Sequence, residues 1–316
     1  MFPTSIIVPT YNEGKQIETL LNSITLHLKE QLSNIEIIII NNGSIDINNE
    51  EAAKFLATAY RIDKTSVGTA RNFGASKATN ELLIFLDADM EITSEWAQEI
   101  QNVSELIHND FNQITGNKVT IPTNPNWIEK YWFCEIPNQK IKYINSANLV
   151  ISKQLFLKLN GFDEALISGE DYDLSMRAIK SGASLSINSK LIAIHHGYPK
   201  NISNFIKREI WHGTGDFISL KSIMQSKVAI ATLGFIFLHM IIFVSSFYYM
   251  PITLFAIVIL ISLLLLLSWK KYYQMPIQYI LINTIVNYFY FLGRSISFFK
   301  AIITKIIYTN KLDTHG

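Results

Sequence analysis

Cysteine is nearly absent: Cys134 is the only one in 316 residues. An intramolecular disulfide is therefore excluded, no cysteine-built metal cluster can form, and the chain suits a reducing compartment. Net charge is scarce as well. The formal balance is +1, which gives no overall pull toward nucleic acid, and no nucleic-acid partner is expected. The opening residues MFPTSIIVPTYNEG lack a basic n-region and a long apolar core, so they do not read as a signal peptide. The N-terminal part is accordingly expected in the cytosol. Repeats and low-complexity linkers are missing too. Charged residues make up 17% of the chain, but that average hides a split. Up to about residue 225 apolar runs alternate with charged and polar segments, and beyond it long apolar stretches carry few charges. A soluble domain over residues 1–220 followed by a membrane region over 221–316 is expected.

The N-terminal part reads as strands alternating with helices. SIIVPT and IEIIIIN are short buried strands, and Ile17, Leu20, Leu21, Ile24 and Leu28 recur at helical spacing between them. A short strand around Tyr60 to Ile62, a helix from about Gly68 to Ala78 and the strand in ELLIFLDAD follow. This rhythm predicts an α/β fold with a mostly parallel sheet, whose ligands sit beyond the carboxyl ends of the strands. Tyr11-Asn12-Glu13, Asn41-Asn42 and Asp87-Ala88-Asp89 all fall at such ends. Further on, INSANLVIS reads as a strand, and Gly169-Glu170-Asp171 precedes a helix that stops at Gly182. SLSINSKLIAIHH reads as one further strand ending in two histidines.

Three apolar stretches close the chain. Val228 to Met250 and Ile252 to Trp269 form an expected spanning hairpin over 228–269, turned at Pro251. Lys221 and Lys227 on one flank and Lys270 and Lys271 on the other put both ends inside. The third stretch, 277–299, carries Asn283, Asn287, Tyr290 and Arg294 on one helical face. A spanning helix could hide that stripe against a neighbour, and an interfacial helix would show it to headgroups. Lys300, Lys305 and Lys311 in the short basic tail favour the interfacial reading.

Asp87 and Asp89, at i and i+2 of a strand end, share a face and can hold a divalent cation, with other positions open to water or phosphate oxygens. Two solvated loop aspartates are the plainer reading of that pair alone. The surroundings decide. IIVPTYNEG, IEIIIINNGSID, VGTARNFGASKATNELLIFLDADM and SGEDYDLSMRAIKSG occur in that order. Over residues 1 to 215 the chain resembles glycosyltransferase family 2, whose members have the GT-A fold, a Rossmann-like nucleotide-diphospho-sugar transferase architecture, and invert at the anomeric carbon.

That resemblance implies roles residue by residue. Pro9, Tyr11 and Glu13 match the motif that receives the nucleoside, with Tyr11 against the base. Asp87 would lie nearer the ribose and Asp89 on the metal, Mn²⁺ or Mg²⁺. Arg71 matches a position near the donor, where a fixed cation can meet phosphate. Asp171 matches the catalytic base, which takes the acceptor hydroxyl's proton. Glu170 and Asp173 should raise its pKa and the helix N-terminus should lower it. Either His195 or His196 could give an imidazole to the metal or pyrophosphate. FIKREIWHGTGD lacks the Q-x-x-R-W of processive synthases, so transfer of one sugar is expected. One departure stands out: Asn41-Asn42-Gly43-Ser44 replaces the usual Asp-Asp-Gly-Ser, and Asn42 could pair with uracil, thymine or guanine through its amide. The donor expected is a nucleotide diphosphate sugar, a UDP-sugar first. The expected acceptor is a lipid-linked or other membrane-borne glycan, in cell-surface polysaccharide or glycolipid synthesis. The setting expected is the inner cell membrane, multi-pass, with a cytoplasmic catalytic domain. The Asn41-Asn42 pair also admits a catalytically inactive GT-A domain kept as a membrane scaffold. A nucleotidyltransferase would want a Gly-rich, basic loop that PTYNEGKQ does not supply.

Overall fold

The computed structural model of the chain describes residues 2–137 and 142–313. The side chains of Lys221, Lys305 and Lys311, on which the positive-flank expectation partly rests, lie outside the described set, as do the last three residues of the tail. Two compact units are present, Met1–Asn124 with Lys140–Tyr198, and Pro125–Gln139 with Pro199–Gly316. The boundary expected at residue 220 falls inside the second of them.

The first unit is built on a seven-stranded sheet. Its strands are β1 (Thr4–Thr10), β2 (Ile35–Asn42), β3 (Ala57–Ile62), β4 (Leu82–Leu86), β6 (Gln113–Gly116), β7 (Asn148–Ser152) and β8 (Ser184–Ile187). Two further strands, β5 (Met90–Ile92) and β9 (Ala193–His195), pair as a small antiparallel sheet. The order in the large sheet is β3-β2-β1-β4-β7-β6-β8. β3, β2, β1 and β4 run parallel, whereas β7 lies antiparallel between β4 and β6. The sheet is therefore mixed on one side rather than parallel throughout.

Both faces of this sheet are covered, which is why its central strands read as unbroken apolar runs. Ile6, Val8, Ile37, Ile39 and Ile84 face one core with Ile17, Leu20 and Leu21 of the helix Gly14–His27 and Trp96 and Ile100 of the helix Ser94–Asn109. The alternate residues Ile7, Ile38, Ile40, Leu83 and Phe85 face the other, with Ala70 and Ala75 of the helix Val67–Lys77. Gly74 lets that helix approach closely, since a Cβ there would stand 2.5 Å from the Ile7 side chain. Pro9 sits inside β1, where the missing N–H costs little: the ladder to β4 ends at Ile7 and only the β2 side continues, to Ile40 and Asn41. The single strand expected over SLSINSKLIAIHH is two short strands in different sheets. Between them Asn188 accepts from the backbone of Lys190 and turns the chain.

The second unit is helical. Lys227–Tyr248 and Met250–Tyr272 are long and apolar enough to cross a membrane, and only 17% and 22% of their most apolar windows are buried. The helix Ile277–Asp313 continues well past residue 299. Its polar stripe is turned inward, not toward headgroups as the interfacial reading required. Asn283 donates to the Tyr131 carbonyl at 2.8 Å, Asn287 to the Ser268 hydroxyl at 2.8 Å, and Arg294 to Glu209 and Asp216 at 3.0 Å each. The Asn283 partner, Tyr131, comes from a segment far upstream, so sequence spacing could not reveal it.

Candidate active site

The polar clusters all lie in the first unit, at the carboxyl ends of β1, β2 and β4. The turn after β1 is held by Asp46. Its carboxylate accepts from the Thr10 hydroxyl at 2.7 Å, the Ser44 hydroxyl at 2.8 Å, and the backbone N–H groups of Glu13 at 3.0 Å and Gly14 at 3.3 Å. Burial pushes this carboxyl up, but the hydrogen bonds outweigh it and hold it below the usual range. So anchored, Asn12 takes the left-handed conformation at φ 57°, and Tyr11 and Glu13 project from the turn. Asp46 has no role in the sequence reading, although it lies in the quoted run IIIINNGSID.

Tyr11 is 46% exposed, and the Lys64 ammonium lies 3.0 Å from its ring centroid. Glu13 is pushed up to about 8, first by burial and then by the charges of Asp89 and Asp87. Three carboxylates thus crowd one end of the sheet. Asp89 is buried, and its Oδ2 lies 3.4 Å from His195 Nε2. The β5–β9 pairing sets Met90 opposite His195 and so brings that imidazole beside Asp89. Gly197 follows, and any Cβ there would collide with the Asp89 carboxylate. His196 is directed elsewhere: its Nε2 lies 2.7 Å from Glu91, and only its backbone N–H reaches the Asp89 carbonyl. Of the two histidines, His195 is the one whose ring stands at Asp89.

Asn41 and Asn42 are engaged in the loops around them. Asn41 accepts from the backbone of Asp46 at 3.0 Å and donates to Ile47 at 2.9 Å. Asn42 accepts from Thr65 N–H at 2.9 Å and donates to the Thr65 carbonyl at 3.1 Å. The amide expected to read the base therefore already pairs with the backbone just before the helix Val67–Lys77. An aspartate could not make both of those bonds.

Arg71 also departs from expectation. It is 2% exposed, with Nη2 at 2.6 Å from Asp87 and Nη1 at 2.7 Å from Glu170. Buried and doubly paired, the guanidinium does not offer itself to a phosphate. It instead joins the end of β4 to the start of the helix Glu170–Lys180. Gly169, at φ 84°, turns the chain into that helix. Asp171 follows, half-buried, accepting from the Tyr172 N–H at 2.7 Å. Its carboxyl is pushed up to about 6, by burial first and then by Glu170, against the Tyr172 N–H and the charge of Arg71. Burial more than the like charge of Glu170 raises it, and the Tyr172 N–H at the helix start offsets this only in part. The site offers a crowded anionic pole at Asp87, Asp89 and Glu13, an exposed aromatic at Tyr11, and a carboxylate poised to accept a proton near neutrality.

Comparison with known proteins gives a consistent picture. A family model described as Glycosyl transferase family 2 matches residues 5–155. The chain is 29% identical over 226 residues to glycosyltransferase AglE of Haloferax volcanii, covering 67% of this chain and 72% of that protein. It is 30% identical over 190 residues to an uncharacterized glycosyltransferase of Haemophilus influenzae, covering 56% and 62% of the two chains. Against a pre-mycofactocin glycosyltransferase of Mycobacterium tuberculosis the identity is 20% over 225 residues, and the match spans 46% of that protein. Among solved structures, the mannosyltransferase PcManGT from Pyrobaculum calidifontis, in complex with GDP-Man and Mn²⁺, is similar with TM-score 0.50 and 17% identity. That match covers 67% of this chain and 61% of that one, and it speaks for the fold alone.

Proposed function

We propose that this chain, which matches the Glycosyl transferase family 2 model over residues 5–155 and has the GT-A fold, is a member of that family that moves one sugar, with inversion, from a nucleoside diphosphate sugar to a glycan acceptor, with Asp171 as base. The observation that carries this reading is the single buried guanidinium joining Asp87, at the donor end of β4, to the residue before Asp171. Arg71 thereby links Asp87 to the neighbour of Asp171 although 84 positions separate the two aspartates in the numbering, from 87 to 171.

Asp171 takes the proton of the acceptor hydroxyl as its oxygen bonds to the anomeric carbon. The bond from that carbon to the diphosphate breaks on the opposite side and leaves its electron pair on the diphosphate oxygen. With its pKa at about 6, Asp171 is mostly ionised at neutral pH yet still a useful proton acceptor. Tyr11 supports the nucleoside with its exposed ring, and Asp87 lies toward the ribose. Stacking on Tyr11 uses the face opposite Lys64 or displaces that ammonium.

Asp89 and His195 are the residues that would hold a divalent cation, Mn²⁺ or Mg²⁺. A carboxylate and an imidazole 3.4 Å apart, beside acids crowded enough to raise Glu13 to about 8, fit such an ion. Among the described residues no three such side chains gather to hold a metal alone, which leaves room for diphosphate oxygens and water. When bound, the cation neutralises charge that develops on the leaving diphosphate. His196, paired with Glu91, stands outside this set.

A UDP-sugar is the donor we propose to test first, beside GDP-sugars, the class bound in the mannosyltransferase neighbour. The two apolar helices support a membrane-borne or lipid-linked acceptor at the cytoplasmic face of the inner membrane, in polysaccharide or glycolipid assembly. Nothing in the site favours the inert-scaffold reading. Asp171→Asn in the full-length chain is the test. It should keep nucleoside diphosphate binding and lower transfer about 10²-fold or more. Near-normal turnover would assign the base elsewhere.

A further inference from the structure

The helix Val67–Lys77 is fixed to the loop that carries the base at two adjacent positions. Arg71 reaches Glu170, and Asn72 makes a reciprocal pair with Phe162, donating to its carbonyl at 2.9 Å and accepting from its N–H at 2.9 Å. Gly68, one turn earlier, lets the helix close on the same loop: a Cβ there would lie 3.3 Å from the Phe162 Cβ and 3.7 Å from the Glu170 Cβ. The other arm of Arg71 holds Asp87. Asn42 secures the start of the helix through Thr65. One helix therefore connects β2, β4 and the base loop, and its only charge at the junction is one buried guanidinium.

Glu170 and Asp171 are neighbouring carboxylates at one helix start, yet their surroundings differ. Glu170 is 7% exposed, paired with Arg71 and approached by the Ser146 hydroxyl at 3.4 Å. Asp171 accepts from the Tyr172 N–H and has no ion pair at comparable range among the described residues. A carboxylate held by a buried guanidinium is a poor proton acceptor, whereas one beside it that is only hydrogen-bonded is free to act.

We propose that Arg71 and Glu170 are positioning residues for transfer, Arg71 acting as a strut that ties the strand-end carboxylate Asp87 to the residue before the base and so holds the base in register with the donor. This rests on the reading of Asp171 as the base. Glu170 faces Asp171 as a like charge, Arg71 faces it as the opposing cation, and Asp173 on the same helix is occupied by Arg177 at 2.6 Å. Removing the charge of Glu170 thus removes a repulsion and frees Arg71 to attract Asp171, and both effects lower the pH at which the base ionises.

The test is the pH profile of nucleoside diphosphate release by full-length Glu170→Gln, using the most active of a panel of UDP- and GDP-sugars. The acidic limb should move down by about one pH unit, with UDP or GDP affinity changed by less than about threefold. Arg71→Gln removes the cation and should move the limb upward. Opposite displacements from the two ends of one ion pair are not produced by general loosening of the fold. If Arg71→Gln does not fold, Glu170→Gln decides alone, since it keeps side-chain volume and a hydrogen bond to Arg71. A limb unmoved in Glu170→Gln, whatever the change in rate, overturns the proposal. Failure of the base assignment is a separate result, turnover persisting in Asp171→Asn.

Discussion

Arg71 in the first unit and Arg294 in the second each divide a guanidinium between two carboxylates. Arg71 takes Asp87 and Glu170 at 2.6 and 2.7 Å, and Arg294 takes Glu209 and Asp216 at 3.0 Å each. Their surroundings set them apart. Beside Arg71 stands Asp171, pushed up to about 6, with Glu13, pushed up to about 8, among the same strand-end acids. Beside Arg294 stands His212, pushed down to about 3 by burial first and then by Arg208 and Arg294. The signs of linkage follow. A carboxyl raised above its ordinary 3.8 contributes stability only at low pH, and that contribution is lost as pH rises through about 6. A histidine depressed below its ordinary 6.5 contributes stability that is present above 6.5 and lost as pH falls toward about 3. The first fork thus stands beside a carboxyl that is costly to ionise, whereas the second ties Glu209 and Asp216 to the helix Ile277–Asp313. The same divided guanidinium therefore stands beside a raised carboxyl in one unit and a depressed imidazole in the other.

The largest separation between the two regions should come from Asp89→Ala. In the proposed site this removes the carboxylate partner of His195, so dependence of donor binding on Mn²⁺ should vanish while the fold persists. Calorimetric titration of UDP or GDP with and without Mn²⁺ measures this, and affinity unchanged by both mutation and chelator would remove the metal role.

Arg294→Met attacks the other fork. It takes one of two cations from the buried Glu209, and since stripping a buried charge of its partner costs up to about 3–5 kcal/mol, thermal or denaturant unfolding should register a clear loss. The acidic limb of transfer assigned to Asp171 should stay where it is. A displaced limb would mean that the two forks are not separable.

The smallest effect is expected at Asn42. Asn42→Asp keeps the bond accepted from Thr65 N–H and loses the one donated to its carbonyl, a change of about 1 kcal/mol. Donor affinity should change by no more than about tenfold, as expected of an amide that holds the loop through Thr65. A switch in preference between UDP and GDP in that variant would restore base reading to Asn42.

Much of the first unit was legible in the sequence because its strands are buried on both faces and its polar clusters stand at strand ends. Asp87 and Asp89 stand at the strand end those grounds indicate, and Asp171 was named from the resemblance carried by the order of the motifs. The pairing of Arg71 was not legible. Its partner Glu170 is 99 residues away, and local spacing on a helix that is small-residue rich says nothing of burial. The same holds for the polar stripe at Asn283, whose partner Tyr131 is 152 residues upstream. The antiparallel β7 and the division of His195 from His196 depend on pairing with β4 and β5, which sequence alternation does not specify. Asp46 could have been found, since an acid two residues past Gly43-Ser44 is well placed to cap the neighbouring turn.

The central claim is that Asp171 is the proton acceptor in sugar transfer, and the pH dependence of nucleoside diphosphate release by the purified full-length chain tests it most directly. The rate should rise with pH through an apparent pKa near 6, the value at which burial and Glu170 set Asp171, and Asp171→Asn should lose that limb together with about 10²-fold or more of the rate while still binding UDP or GDP. A limb that survives unchanged in Asp171→Asn would contradict the account.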